Sequence, residues 1–285
     1  MIQLTIKTNK KRCNILHKVF MKALRLTVRS ANACVRDRYI RKENLGRTFY
    51  NYSKILRIER MKNIERLPSG IPGLDEMIGG GLPVPSITLV AGEAGTGKTT
   101  FCNQFLCKGA EHKEPGLYFM ISGESPSLVF KFASTYEFVK EDYFCKEIHY
   151  IDLGEAVENT KRTLDLLDLI QSKLTEFQSK RVVICNPSEL QEILKGDYRR
   201  FLLKLARMIK DMNAVSLITG ETGPGYPYPA DIAHIADGII LLHNTEVNYV
   251  RRRSLEILKM AGTPHTSGKH ALDISAKGLT VYPGL

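Results

Sequence analysis

A chain of 285 residues with 43% hydrophobic content can bury a sizeable core, as one large α/β domain or two small ones, and reads as soluble and globular. Its formal charge of +11 would suggest an acidic partner such as nucleic acid, but residues 1–60 hold 16 Lys/Arg against 3 Asp/Glu. That leaves 25 Lys/Arg against 27 Asp/Glu, a net of −2, in residues 61–285, which speaks against a nucleic-acid-binding core and against a membrane surface as partner. No apolar run reaches the ~18 residues of a membrane span, and no apolar segment with a small-residue cleavage site follows Met1, so a cytoplasmic location is expected.

The basic stretch 1–60 contains "NILHKVFMKALRLTVRSANACV", which could form a short helix with Ile15, Val19, Phe20, Ala23 and Leu24 on one side. Three readings compete for it: a transit peptide, a basic arm that touches nucleic acid phosphates, and an extension upstream of a true start at Met61. The last fits best, because Met61 falls where the charge balance switches and just before the first recognisable motif. The domain organisation is therefore read as a basic extension, 1–60, and one folded unit, 61–285.

A turn-rich entry and the triple glycine Gly79, Gly80, Gly81 lead into the apolar strand "SITLV" and then Gly92-x-x-x-x-Gly97-Lys98-Thr99. This is the phosphate-binding loop in its required context of strand, glycine loop and helix. The glycines let successive backbone N–H groups converge on a β-phosphate, and the helix opening near Lys98 adds its positive dipole end. Gly92, Glu93, Ala94, Gly95, Thr96, Gly97, Lys98, Thr99 and Thr100 are the candidate nucleotide-binding residues. Lys98 should reach the β- and γ-phosphates, and the Thr99 hydroxyl should ligate Mg²⁺.

Strand "GLYFMIS" (116–122), a helical stretch from about Pro126 to Phe138 and strand "EIHYIDL" (147–153) come next. A long amphipathic helix near 159–179 follows, capped by Asn159, with Leu164, Leu167, Ile170 and Leu174 on one face. Strand "RVVIC" (181–185), a helix over 188–212 and strand "AVSLIT" (214–219) continue the alternation, which implies βαβ units and a mostly parallel sheet flanked by helices. The apolar runs 238–242 and 254–260 predict a hairpin, and "GLTVYP" a C-terminal strand.

The six cysteines, Cys13, Cys34, Cys102, Cys107, Cys145 and Cys185, form no C-x-x-C pair and no metal-ligand grouping with the histidines, so they read as scattered reduced thiols.

Four stretches, "SGIPGLDEMIGGGLP", "GEAGTGKTT", "GESPSLV" and "LEILKMAGTPH...LDISAKGLTVYP", occur in the order in which the KaiC-like branch of the RecA/RadA superfamily of P-loop ATPases carries them. Residues 66–285 thus resemble a single-domain KaiC-like protein of the kind common in archaea. The resemblance implies a RecA-like P-loop core with a C-terminal β extension, ATP and Mg²⁺ as ligands, and a homo-oligomer, often a hexameric ring with ATP between subunits. The protein partner is not implied.

The chain departs from that pattern in its catalytic positions. The family's paired glutamates after the second strand read Gly123-Glu124 here, leaving Glu124 as the candidate catalytic residue. The strand that ends in Asp in the family, and so organises magnesium, ends in Cys185. Asn186 adjoins it, but one step along a strand turns a side chain to the other face. The arginine that the family extends to a neighbour's γ-phosphate is Ala261, whereas Lys259, expected to act in trans, remains. A missing general base costs ~10²–10⁴ in rate and a missing arginine finger ~10³–10⁵. These expectations describe a nucleotide-binding regulatory or scaffolding protein with lost or very weak hydrolysis and weakened magnesium binding. The alternatives are a slow ATPase using Glu124, with or without Asp152, and a DNA-recombination accessory whose loop "GETGPGYPYPAD" would stack bases on Tyr226 and Tyr228. Asp152 has a plainer role open to it, capping the turn after its strand.

Overall fold

The computed structural model describes residues 64–121, 125–159, 163–223 and 225–284. The basic stretch with its proposed helix, Met61, and the Gly123-Glu124 pair lie outside the described residues.

A short antiparallel pair, β1 (Arg66–Leu67) and β2 (Leu82–Pro83), precedes the main sheet. The strands of that sheet are β3 (Ser86–Gly92), β4 (Gly116–Met120), β5 (Ile148–Asp152), β6 (Arg181–Cys185), β7 (Val215–Glu221), β8 (Gly238–Val247), β9 (Val250–Met260), β10 (Lys269–Ser275) and β11 (Gly278–Tyr282). They lie in the order β11-β10-β9-β8-β3-β7-β6-β4-β5. From β8 to β5 every neighbour is parallel, while β9, β10 and β11 add antiparallel strands to the β8 edge. The expected mostly parallel sheet with a C-terminal β extension is what forms.

The parallel strands are apolar on both faces because helices cover both. Val90 of β3, Tyr118 and Met120 of β4, and Val183 of β6 pack with Phe101, Cys102 and Phe105 of helix α1 (Lys98–Ala110). The alternate residues, among them Leu89, Phe119 and Ile184, pack against α2 (Thr163–Phe177), α3 (Tyr198–Asp211) and α4 (Ala230–Ile235). Period-two alternation along each strand therefore feeds two separate cores. Leu167, Ile170 and Leu174 are buried as the amphipathic pattern required.

Three elements differ from the sequence reading. Asn159 is the last residue of a short helix, Gly154–Asn159, and the long helix is described from Thr163 as α2. The helix expected over 188–212 is broken into a 3₁₀ turn at Pro187–Glu189, a short helix Leu190–Leu194, a second 3₁₀ turn at Lys195–Asp197 and α3. The break falls where Lys195 takes φ 44°, ψ −119°, immediately before Gly196, a conformation no helix continues through. The hairpin reaches well beyond its apolar runs, because Asn248 and Tyr249 both take positive φ (51° and 62°), as a two-residue turn matched to strand twist requires.

Among the described residues no helix is long and apolar enough to cross a membrane.

Candidate nucleotide site

β3 ends at Gly92 and α1 begins at Lys98, so residues 93–97 form a loop at the carboxyl end of the central parallel strands, where open α/β sheets bind ligands. Gly97 has φ 103°, and a Cβ there would stand 2.7 Å from Ile274 Cδ1. A Cβ on Gly92 would lie 2.5 Å from the Leu242 carbonyl oxygen and 2.6 Å from Thr96 Oγ1. Gly97 thus needs glycine for its conformation, and Gly92 for the close approach of the Leu242 backbone. The Thr96 hydroxyl donates to the Glu93 carbonyl at 2.8 Å and ties the loop to itself.

Lys98 Nζ donates to the carbonyl oxygens of Gly92 (2.8 Å) and Glu93 (3.0 Å) and lies 3.8 Å from Glu221 Oε1. The loop borders a cleft of about 510 Å³, within the range of ~300–1,000 Å³ typical of small-molecule sites. Ala94, Gly95, Gly97, Lys98, Thr99 and Thr100 line one side of it, as the motif led one to expect. Thr100 Oγ1 and the Tyr136 hydroxyl are 3.2 Å apart, and the Tyr136 ring stacks on Phe138.

The far side is built by residues that the sequence reading either set aside or missed. Cys185 lines the cleft at the end of β6 while packing against the core beneath α1. Burial pushes the Tyr118 phenol well above its usual pKa, and the adjacent Cys185 adds to the shift. Cys102 on α1 is likewise raised, first by burial, then by Cys185, with Lys98 opposing. Asn186 lines the same cleft: it has left the strand with φ 47°, ψ 63°, so strand alternation does not govern it. Glu189, Thr219, Glu221, Arg253 and Ile274 complete the wall, and none was singled out beforehand. The signal that could have found Glu189 and Glu221 is their place at or just beyond the carboxyl ends of β6 and β7.

Other sequence candidates fall elsewhere. Asp152 accepts from the Gly154 amide at 2.7 Å and so closes its strand and caps the next turn, outside the cleft. Lys259 Nζ donates to the Ala236 carbonyl at 2.6 Å in its own chain and does not line the cleft. Of the two loop tyrosines, Tyr226 is 75% exposed, whereas Tyr228 packs against the core.

A family model described as "ATPase: KaiC" matches residues 67–285. The chain belongs to the KaiC family of ATPases. A UPF0273 protein of Thermotoga maritima is 34% identical over 77% of this chain and 97% of its own length. The circadian clock oscillator protein KaiC of Prochlorococcus marinus is 30% identical over 77% of this chain, which spans 46% of that protein. A crystal structure of a KaiC-like protein from Pyrococcus horikoshii superposes with a TM-score of 0.69, at 32% identity, over 78% of this chain and all of that one.

The KaiC family binds ATP with Mg²⁺, and the donor set here can be tested against that ion. Magnesium takes oxygen ligands, usually one or two carboxylates together with substrate phosphates and water. The cleft offers the Thr99 hydroxyl and the Glu189 and Glu221 carboxylates, and the buried Asn186 Oδ1 has no hydrogen-bond partner. Among the described residues there is no group of three or more His, Cys, Asp or Glu that could hold a metal ion. The Cys185 sulfur is a soft donor and a poor magnesium ligand. Thr99 and one of these carboxylates would hold the ion, which supplies charge neutralisation at the β- and γ-phosphates.

Proposed function

We propose that this chain is an ATP-binding regulatory or scaffolding protein of the KaiC family in which hydrolysis is lost or very weak. The observation that carries the reading is the make-up of the cleft: a complete phosphate loop, Gly92 to Thr100, faces a strand end that presents the Cys185 thiol in place of a carboxylate. Groups that hold ground-state phosphates are retained. Groups that act in the transition state are reduced, with Gly123 and Ala261 standing where the resemblance implies a glutamate and an arginine. Nucleotide that binds one folded or assembled state preferentially stabilises that state by mass action, without being consumed. The assembly proposed is a cytoplasmic homo-oligomer, with a hexameric ring as the arrangement the resemblance implies, in which Lys259 of one copy faces the nucleotide of the next.

A second reading, a slow ATPase, is favoured by the carboxylates Glu189 and Glu221 in the cleft, which with Glu124 could orient a water. ATP affinity and single-turnover hydrolysis in the same samples separate the two. Tight binding with turnover at trace level is the expected result. Clear turnover that disappears in Glu124→Gln would establish the slow enzyme instead.

A further inference from the structure

β6 stops at Cys185, and the left-handed conformation of Asn186 sends the chain into the 3₁₀ turn Pro187–Glu189. That turn brings Glu189 to the wall of the cleft that also holds Thr99, Cys185 and Asn186. We propose that Glu189 supplies, from the turn after β6, the magnesium-side carboxylate that Cys185 does not. This inference rests on the ATP-binding reading above.

Three observations support it. The first is fixation. Asn186 Nδ2 donates to Glu189 Oε1 at 2.7 Å, and the Glu189 amide donates to the Asn186 carbonyl at 3.3 Å. The Asn186 amide is in turn anchored to Thr219 Oγ1 on the neighbouring strand β7 at 2.8 Å. A carboxylate held this way keeps its second oxygen available and loses little side-chain freedom when it engages a ligand. The second is the orphaned acceptor: Asn186 Oδ1 is buried without a partner, which costs free energy unless a water or a cation shell satisfies it. The third is the distribution of charge. Glu221, the other described carboxylate lining the cleft, lies 3.8 Å from Lys98, whereas Glu189 has no cationic partner among the described residues. Arg253 also lines the cleft, but no ion pair joins it to Glu189, and a carboxylate beside a phosphate loop repels a nucleotide unless a cation lies between them.

The test is calorimetric titration of the full chain with ATP, in excess Mg²⁺ and in EDTA, compared with Glu189→Gln and Glu221→Gln. Gln at 189 preserves the acceptor for Asn186, and an unchanged melting temperature verifies the fold. Magnesium should tighten ATP binding to the unaltered chain and to Glu221→Gln. In Glu189→Gln that tightening should shrink by ~10–100-fold, the range seen when a ligand-supporting group is removed, with the EDTA affinity no weaker than before. Mn²⁺ binding followed by electron paramagnetic resonance in the presence of ATP should fall in parallel. An undiminished magnesium effect in Glu189→Gln, or no magnesium effect in the unaltered chain, overturns the assignment while leaving ATP binding intact. Failure of the unaltered chain to bind ATP under either condition removes the ATP-binding reading and this inference with it.

Discussion

Lys98 Nζ and Glu221 Oε1 are 3.8 Å apart across the mouth of the cleft, joining the phosphate loop to the end of β7. The pair is asymmetric: the Lys98 side chain is 13% exposed and Glu221 62%. A phosphate that takes Lys98 must displace this carboxylate or sit beside it. Glu221→Gln should therefore strengthen nucleotide binding at low salt. Exposed pairs are worth ~0.2–1 kcal/mol, so the gain should be at most about fivefold and should fade as ionic strength rises. Titrations at two salt concentrations check both the sign and the screening.

Removing the lysine should have the opposite and larger effect. Lys98 supplies the half-buried cation of the loop, and a charge-assisted hydrogen bond contributes ~1.5–3 kcal/mol. Lys98→Ala should lose at least tenfold in ATP affinity, while the melting temperature moves little, because its partners are loop carbonyls and an exposed carboxylate. Binding and melting measured on one preparation decide this.

Stability depends on a pair far from the cleft. Arg181, at the start of β6, is fully buried, stacks over Phe105 at 4.6 Å and pairs with Glu114 at 2.8 Å. Burial lowers the Arg181 pKa, and Glu114 opposes that shift. Glu114→Ala should destabilise the fold toward the low end of the ~3–5 kcal/mol seen when one partner of a buried pair is removed, since Glu114 retains 23% exposure. Urea unfolding measures this.

A pH effect should arise from His149, whose ring stacks on Phe177 at 4.0 Å. Desolvation lowers its pKa from 6.5, outweighing the raising effects of the Lys146 backbone and of Glu176 and Glu147. With the folded value below the unfolded one, the unfolded chain takes up the proton first as pH falls. The stability that the neutral ring contributes is complete above pH 6.5 and declines as pH drops from there toward the folded value. Thermal melts at pH 7.5 and pH 5.5 should show a smaller acid loss in His149→Gln than in the unaltered chain.

The sequence by itself determined the phosphate loop, the alternation of strands and helices, and the family. These are local: Gly92 to Thr100 are consecutive, strand and helix periodicities repeat within a few residues, and the four stretches that carry the resemblance keep their order. Tertiary structure decided the rest of the site. Its wall comes from the ends of β6, β7, β9 and β10, brought together by parallel pairing of β3 with β7, of β7 with β6, and by the hairpin that returns Arg253 toward the loop. Sequence spacing does not encode which strands are neighbours. Nor did pattern reveal that Asn186 leaves its strand or that Lys195 breaks a helix, because single residues in unusual conformations are set by the packing on either side of them. For that reason Cys185 could be read as a loss from one position in a row, while Glu189, one short turn further on, came into view only when the chain had folded back over the cleft.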